Sequence, residues 1–573
     1  MSATMHAQVS AQTDVTAKFR ILAADYFEQV YFRFSPTIGT QAGLHQYDAQ
    51  LEDYSRARVD REIADLEKFA AQFDTVPEGA LDEGTRGDLI MVRNSIRGNL
   101  LDLETIRPWE KNADFYSSGI ANSAFVIMER KYAPADERLR SLIAREKQMP
   151  AALTAARQNL KNPPKIYTEI ALEQLPDIVG FFEKDVPAAF ADAKDSATRA
   201  EFQKSNAIII AALRDYEQWL KIDLLPRSNG DFRIGADAFS KKLHYDEMVD
   251  TSLDQLLTIA YADLRRNQAE FERVAREVDS SKRPKEVLVQ LSSIHPTPDE
   301  LLATFRNTFD GLIGFIREKH IITIPSEVQP VLEETPPFMR ATTQASMDPP
   351  GPFETNSTTA YFNITLPEKG WTPAHVAEHM AAFNVGTIIS TSVHEAYPGH
   401  YVQFLWVNHA ELSQVRKIIT ANTNVEGWAH YCEQMMLDQG YGQPGAGAKD
   451  AREAKLVRLG QLQDALLRDA RFIAGIKMHT GQMKFEEAVD FFVNDGYQSR
   501  SVGLVETKRG TADPTYLYYT LGKLQIMKLR ADLEKKQGAN FSLQRFHDDF
   551  MRQGGAPIKL VRQALLGDDS PTL

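Results

Sequence analysis

Apolar residues recur at steps of three and four positions along most of the chain, the spacing that lines one face of an amphipathic helix. Pro150 is expected to split or kink the helix that contains it, because proline lacks a backbone N–H and clashes with the preceding turn. Thr297, followed by Pro298, is expected to begin another helix. Up to residue 320 the pattern predicts helices over residues 15–34, 61–73, 81–103, 135–160, 166–190, 199–222, 252–278 and 299–319.

A short segment between residues 321 and 366 departs from the helical pattern and is rich in proline and threonine. Residues 321–324 and 358–364 have the composition of short strands. The stretch between them contains two Pro-Pro pairs and is expected to be loop. The helical pattern returns at Thr372-Pro373, a favourable cap and first-turn pair, and then dominates to the end of the chain.

These elements predict a mostly α protein with a small β element before its last helices. A chain of 573 residues exceeds the size at which one hydrophobic core saturates, so two lobes are expected. The predicted division gives a flexible amino terminus over residues 1–14, a helical amino-terminal lobe over 15–320 and a catalytic lobe over 321–573.

Composition and charge narrow the class of protein. An apolar fraction of 43% and a charged fraction of 25% are typical of a soluble globular protein. The net charge is −13 and no block of Lys or Arg is present, which argues against a nucleic-acid partner, since such a partner requires a basic face. The lone cysteine, Cys432, is expected to be a small buried apolar residue.

The sequence also bears on the membrane and on the compartment. No apolar run is long enough to span a bilayer, so no integral membrane contact is expected. The amino terminus lacks the apolar segment of a signal peptide. Val9-Ser10-Ala11 nevertheless has the small-residue form of a cleavage site, as in the remnant of a signal already removed. We therefore favour an exported, periplasmic protein, keep a cytoplasmic one as the alternative, and leave the oligomeric state open.

A dense group of metal-binding residue types begins at His394 and reads His-Glu-Ala-Tyr-Pro-Gly-His up to His400. A catalytic zinc takes three protein ligands and keeps a fourth position open for water. Two imidazoles and a carboxylate meet that need, and a further carboxylate, here Glu395, can take the proton of the water. The five defined positions would arise by chance in a chain of this length on the order of 10⁻⁴ of the time.

The spacing of the two histidines requires a bend in the chain. The familiar zinc-binding helix places its histidines four positions apart on one face, whereas these are six apart. On an unbroken helix that spacing would turn His400 to another face. Pro398 and Gly399 are expected to bend the chain and bring His400 back toward His394.

The third ligand is expected to be Glu426, on a later helix packed against the first. Gly427 beside it would permit close approach of a neighbouring helix. His430 and Glu433, about one and two turns further on, are expected to support the ligands from behind. Together with the two histidines, Glu426 would complete a gluzincin ligand set for one zinc ion.

A competing pair, His375 and His379, has the form of the inverted zincin motif and lies on a segment with unbroken helical pattern. Inverted zincins are built on α/β sandwiches, for which this chain has too few strands. The pair is therefore expected to belong to an ordinary helix whose histidines face the cleft or the solvent. Whether His375 and His379 contribute to the site is left open.

With its His394–His400 run and the residues around Glu426, the chain resembles domain-of-unknown-function family 885, which is grouped with the helical metallopeptidases. The resemblance implies a mostly helical, two-lobed, zincin-like fold of the gluzincin type. It also implies metal ligands at His394, His400 and Glu426, with Glu395 catalytic. The resemblance covers nearly the whole chain and is carried by residues 34–40, 43–48, 394–400 (the hallmark of the family), 426–429, 519–524 and 529–530.

Two departures from the family pattern occur further along the chain. Arg471 and His479 match an arginine and a histidine of the family, but the aspartate that commonly lies between them is replaced by Gly475. The usual Pro-Gly-Gln run that follows reads Asp-Pro-Thr at residues 513–515.

Three further residues complete the predicted site. Tyr519 is expected to stabilise the oxyanion through its phenol, with His479 as a second catalytic group. Arg509 is expected to bind a substrate carboxylate. The predicted function is zinc-dependent hydrolysis of an amide bond by a metallopeptidase acting on short peptides. A zinc amidase or esterase acting on a small molecule is one alternative, and a helical binding or scaffold protein with a vestigial site is the other.

Overall fold

Helices make up most of the chain. The computed structural model describes the backbone of residues 2–573 apart from 337–338 and 341–342, and it describes side chains from residue 14 onward outside those gaps. Before the β element the α-helices are Ser2–Tyr26, Phe32–Phe34, Pro36–Gln41, Arg56–Asp74, Glu83–Leu101, Pro108–Lys111, Asp114–Met128, Ala135–Glu146, Met149–Asn159, Lys165–Gly180, Val186–Ala189, Ser196–Trp219, Leu225–Arg227, Gly235–Glu247, Leu253–Val278, Pro284–Ser292, Leu301–Arg306 and Phe309–Glu318.

Short π-helical and 3₁₀ turns connect several of these helices. The π turns are Phe27–Tyr31, Asp102–Ile106, Phe181–Asp185 and Leu220–Leu224, and the 3₁₀ turns are His45–Tyr47, Glu78–Ala80, Pro298–Glu300 and Gly538–Asn540. After the β element the α-helices are Pro373–Ala381, Val385–Glu395, His400–His409, Gln414–Ile418, Asn422–Asp438, Ala451–His479, Phe485–Asn494, Arg500–Ala512, Tyr518–Gln537, Leu543–Met551 and Ile558–Leu566. None of the described helices is long and apolar enough to cross a membrane.

Each helix predicted from the apolar spacing has a counterpart, with shifted bounds. The predicted helix 135–160 is split in two, and the break falls next to Pro150 as expected. Thr372 caps the helix Pro373–Ala381, also as expected. Residues 2–14 belong to the helix Ser2–Tyr26, and the flexibility predicted for them stays a prediction.

The small β element is a three-stranded sheet made of β1 (Val331–Glu334), β2 (Ala345–Asp348) and β3 (Tyr361–Ile364). The strand order is β1-β3-β2, with β3 parallel to β1 and antiparallel to β2. β3 confirms the predicted strand 358–364. The predicted strand 321–324 is wrong, since those residues are irregular chain in which Ile321 and Ile322 are buried and Thr323 is exposed, and β1 and β2 lie in the stretch predicted to be loop. A short apolar run alone does not distinguish a strand from other buried chain.

The hydrophobic core crosses the predicted boundary at residue 320. The largest cluster of buried apolar side chains unites residues from both sides of it, such as Phe27, Phe362 and Trp428. A second cluster is built from residues between positions 51 and 224. The division into lobes at residue 320 therefore stays a prediction, and hydrophobic packing does not follow it.

Two helix crossings hold the segments that carry the predicted site, and glycines make both possible. The helix Val385–Glu395 (the motif helix) crosses the helix Ala451–His479 (the arginine helix), where a Cβ on Gly386 would lie 2.5 Å from a backbone oxygen. The helix Asn422–Asp438 (the Glu426 helix) crosses the helix Tyr518–Gln537 (the Tyr519 helix). There, a Cβ on Gly427 would lie 2.6 Å from the Cα of Gly522. The close approach predicted for Gly427 is confirmed.

Replacing Gly427 with alanine is expected to destabilise the protein by about 1–3 kcal/mol, because the added methyl group must push two backbones apart. The measurement is the free energy of unfolding in urea. Gly314→Ala is the matched control: Gly314 also lies inside a helix, but an added Cβ meets nothing within 4 Å. That control is expected to be neutral or stabilising by about 0.5–1 kcal/mol. Equal stability of the two variants would contradict the close crossing.

Candidate metal centre

The motif helix ends just where the candidate ligands begin. Asn384 caps its amino terminus by accepting hydrogen bonds from two backbone N–H groups, and the helix ends at Glu395. A new helix starts at His400, so the two histidines stand on separate helices joined by four residues, 396–399. A Cβ on Gly399 would lie 1.8 Å from the carbonyl oxygen of His394. The predicted bend is confirmed, and the glycine is needed for close approach, since its φ of −69° is ordinary.

The bend brings His394, His400 and Glu426 together. Their ligand atoms all lie within 4.8 Å of one another. Glu426 Oε2 is 3.4 Å from His394 Nε2 and 3.3 Å from His400 Nε2. Two ligands at about 2.1 Å from one tetrahedral zinc ion are about 3.4 Å apart, so the two distances to Glu426 fit this ion. It is the one such group among the described residues of the chain.

Burial and charge favour a cation between these three side chains. Burial lowers the pKa of His394, but hydrogen bonds to Glu426 and Glu433 outweigh it and raise that pKa to about 9. Burial raises the pKa of Glu426, but the nearby charge of His400 outweighs it and holds that pKa well below its usual range. An ionised carboxylate between two imidazoles stabilises positive charge, whether that charge is a proton or a metal ion.

Two buried carboxylate oxygens belong to Glu395 of the motif and to the third candidate ligand, Glu426. Glu426 Oε2 faces the two imidazole nitrogens at 3.3 and 3.4 Å, whereas Glu395 Oε2 has no hydrogen-bond partner among the described residues. Such atoms are rare in folded proteins, because an unpaired buried oxygen loses its hydration without compensation. The donor set and these oxygens fit a zinc ion with a water at its open position. Glu395, 8% exposed, follows the ligand His394 directly along the chain.

Glu433 holds the ligand His394 from behind. Its Oε1 accepts from His394 Nδ1 at 2.7 Å, which leaves His394 Nε2 free to face Glu426. Its Oε2 accepts from His430 Nδ1 at 3.1 Å, and Arg468 lies 2.9 Å from Oε1. Burial lowers the pKa of His430 to about 3, so this imidazole is neutral near pH 7. The supporting role predicted for His430 is thus indirect and passes through Glu433.

Replacing Glu433 with glutamine is expected to weaken zinc binding by about 10- to 100-fold, since a carboxylate behind a ligand histidine fixes its tautomer and raises its basicity. The change keeps the shape of the side chain and removes the charge that partners Arg468. Zinc affinity is measured by competition with a chelating dye, and folding by circular dichroism. Asp438→Asn on the same helix, where the carboxylate is 48% exposed, is the matched control and should bind zinc as the wild type does.

Tyr519 lies beside the metal centre. Its ring centre is 6.3 Å from that of His394, and the two rings are inclined by 28°. The phenol oxygen accepts a hydrogen bond from Arg509 Nη2 at 3.2 Å. Burial raises the pKa of Tyr519, Arg509 opposes that effect, and Glu426 adds to it. The phenol therefore stays protonated. Because its oxygen accepts a hydrogen bond from Arg509, the phenolic proton is free to be donated to another group.

The neighbours of His479 are two phenylalanine rings and a backbone carbonyl. Its Nε2 lies 2.8 Å from the carbonyl oxygen of Gly510, and its ring contacts Phe232 and Phe239. Burial in these apolar surroundings lowers its pKa. The catalytic role predicted for His479 stays a prediction; in the structure its contact with Gly510 supports the end of the helix Arg500–Ala512 (the Arg509 helix).

The substitution at Gly475 has a packing reason. A Cβ at this position would lie 2.9 Å from the ring of Tyr516 and 3.1 Å from the carbonyl oxygen of Pro514. An aspartate would not fit here without moving the segment that leads into the Tyr519 helix.

The competing pair has other partners. The exposed His375 ring stacks on Trp371 at 3.8 Å between ring centres. His379 Nε2 lies 2.8 Å from the carbonyl oxygen of Thr365. Neither histidine belongs to a group of three metal-binding side chains in the described part of the chain.

Three charged residues near the centre were not predicted from the sequence. Arg468 pairs with Glu433, Asp464 lies near that pair, and Glu506 binds Arg471. Burial raises the pKa of Asp464 to about 6, with Arg468 opposing the shift. Positions 464, 468 and 471 recur at helical spacing, and this polar stripe is a signal that could identify Asp464 and Arg468.

Comparisons with known proteins bear on the fold and name no activity. The family model described as "Bacterial protein of unknown function (DUF885)" matches residues 36–565. A solved structure described as "a putative lipoprotein of unknown function", from Shewanella oneidensis, is similar over 96% of this chain and 99% of that one, with a TM-score of 0.77 and 26% identity. A second, described as "the putative lipoprotein from Colwellia psychrerythraea", is similar over 97% of this chain and 99% of that one, with a TM-score of 0.79 and 19% identity. No curated protein matches the sequence.

Proposed function

Since the chain belongs to the bacterial family of unknown function DUF885, we propose its activity from the site itself: it is a zinc-dependent hydrolase, a metallopeptidase that cleaves amide bonds of short peptides. The observation that carries this proposal is the position of Glu426 Oε2, 3.3 and 3.4 Å from two imidazole nitrogens that face it. The buried and unpartnered Oε2 of Glu395, the next residue after one ligand, supports hydrolysis rather than storage of a metal.

In this proposal His394, His400 and Glu426 hold one zinc ion. When bound, the ion supplies a Lewis acid and lowers the pKa of a water molecule toward neutrality. Glu395 then accepts the proton of the attacking water and transfers it to the leaving amine. Glu433 keeps the Nδ1 of His394 protonated, so that Nε2 is the ligand atom.

Tyr519 is proposed to stabilise the oxyanion of the tetrahedral intermediate. Its ring lies beside His394, and the hydrogen bond from Arg509 to its oxygen directs the phenolic proton away from the arginine. A fixed donor aimed at developing charge stabilises the transition state more than the ground state. Removing one such donor costs about 100- to 1,000-fold in kcat in well-studied hydrolases.

The test is hydrolysis of a peptide library by the purified protein, read by mass spectrometry, before and after removal of metal with a chelator and again after zinc is restored. Zinc-dependent peptide products support the proposal. Cleavage confined to small non-peptide amides or esters, run in parallel, would favour the amidase or esterase alternative. A purified protein that retains no zinc at neutral pH would favour the scaffold alternative.

We also propose that the protein is exported. Two similar structures are each described as a "putative lipoprotein", and one of them shares 26% identity with this chain. Fractionation of cells that express the natural full-length gene with a carboxy-terminal tag tests this proposal. Recovery of the tag in the soluble cytoplasmic fraction would contradict it.

A further inference from the structure

Three arginines surround the ring of Tyr519, and two of them are paired with buried carboxylates. The Cζ atoms of Arg468 and Arg471 lie 5.6 Å and 4.9 Å from the ring centre. Arg468 contacts Glu433 at 2.9 Å, and Arg471 donates two parallel hydrogen bonds to Glu506 at 2.6 and 2.7 Å. Both side chains are about nine-tenths buried, at 11% and 9% exposed. Neither guanidinium is available to a substrate.

Arg509 is the third, and its charge is the least neutralised. Its Nη2 donates to the hydroxyls of Tyr518 and Tyr519 at 3.3 and 3.2 Å. Its carboxylate partner, Asp513, is 3.4 Å away and also accepts from Tyr518 at 2.9 Å. The Arg509 side chain is 30% exposed, so a solute can reach it. A guanidinium with long, shared contacts keeps donors for a bidentate partner such as a carboxylate.

The position of Arg509 limits the distance between that carboxylate and the candidate metal centre. The Tyr519 ring centre is 6.3 Å from the His394 ring centre and 5.7 Å from Arg509 Cζ. An extended peptide spans roughly 3.5 Å per residue, so the distance from His394 to Arg509 is at most that of about three residues. A peptide whose scissile carbonyl lies at the metal centre therefore reaches Arg509 with a group one or two residues further along.

We propose that Arg509 binds the free α-carboxylate at the end of the peptide, and that the protein is an exopeptidase that releases the last one or two residues. This inference rests on the proposed hydrolase function. Water is the only co-reactant: its oxygen becomes part of the new carboxylate of the shortened peptide, and the amine of the released fragment takes the proton. An α-carboxylate is present on every unmodified peptide, so Arg509 would fix the site of cleavage without selecting a side chain.

The experiment compares three N-acetylated peptides of identical sequence except at the carboxyl end: one ends in a free acid after alanine, one in alanine amide and one in glutamic acid amide. The free acid is expected to be cleaved with a kcat/KM about 10- to 100-fold above that of the alanine amide, because only the free acid can form the charge-assisted bidentate contact with Arg509. Its products, identified by mass spectrometry, are expected to be shortened by one or two residues.

Variants of Arg509 separate recognition from structure. Arg509→Ala is expected to bring the ratio of acid to amide hydrolysis close to one, and Arg509→Lys to keep part of it as a point charge. Arg500→Ala is the matched control, since Arg500 is on the same helix but pairs with Glu486 and Asp490 on the surface; it should keep the wild-type ratio. An equal loss on acid and amide in Arg509→Ala would indicate a structural role and overturn the inference.

The remaining outcomes distinguish the two proposals. If the wild type cleaves acid and alanine amide equally well, the inference fails and the hydrolase function stands. If the glutamic acid amide is cleaved as well as the free acid, Arg509 selects an acidic side chain and the exopeptidase inference fails. If the zinc-loaded protein cleaves none of these peptides and none of the library, the proposed function itself fails.

Discussion

Glu395→Gln is expected to lower kcat/KM for peptide hydrolysis by about 100- to 10,000-fold, because the variant loses the group that accepts the proton of the attacking water. Zinc should remain bound in the amount found for the wild type, since the three ligands are unchanged. The amide keeps the size of the side chain at a position that is 8% exposed, so folding should be preserved. The measurements are steady-state kinetics on the best library peptide, zinc analysis and circular dichroism on the same sample.

The matched control is Glu378→Gln, in the competing His375–His379 segment. Glu378 is exposed and accepts a hydrogen bond from Ser501 on the Arg509 helix. The change therefore alters a glutamate between two histidines and leaves the residues of the proposed centre unchanged. Its activity should equal that of the wild type. Near-normal hydrolysis by Glu395→Gln with zinc bound would exclude Glu395 as the base. Loss of zinc from that variant would instead give it a part in metal binding.

Local chemistry made much of the fold predictable. Apolar residues at helical spacing identified many of the helices, although not Asp114–Met128, Gly235–Glu247 or Pro284–Ser292, and Pro150 located a break, because both signals act within one or two turns. The β element was predicted only in part. Within β1 a single residue, Leu332, is buried, so this strand lacks the alternation of buried and exposed positions by which strands are predicted. The course of the core across residue 320 was not predictable, because it depends on contacts between segments that are distant in sequence.

The candidate site, like the fold, was predicted only in part. His394, His400 and Glu426 were predicted from residue types that zinc requires and from a proline and a glycine that bend the chain, and the structure places their ligand atoms within 4.8 Å of one another. Glu433 and His430 were predicted as supporting groups, and Glu433 does lie behind His394. The catalytic role of His479 stays a prediction; its contacts with Phe232 and the Gly510 carbonyl could not be predicted, since sequence resemblance does not determine the neighbours of a buried side chain.

Removal of any one ligand is expected to abolish zinc retention. His400→Ala and Glu426→Ala should each lower zinc affinity by more than the roughly 10- to 100-fold that follows loss of a group behind a ligand, because a direct bond to the ion is lost and two ligands remain. The change at Glu426 has the further effect of removing the negative charge that lies between the imidazoles. Zinc content after dialysis and competition with a chelating dye measure both effects, and hydrolysis should fall with occupancy.

His375→Ala and His379→Ala provide the matched controls, and they make the result specific to one pair of histidines. His375 stacks on Trp371, and His379 contacts a backbone carbonyl. Either change therefore removes an imidazole that does not belong to a group of three metal-binding side chains among the described residues. Both variants should keep one zinc ion. If His400→Ala keeps full occupancy while His375→Ala loses it, then the metal lies on the helix Pro373–Ala381. The roles assigned to Glu395, Tyr519 and Arg509 would then fail together, since each depends on its distance from His394.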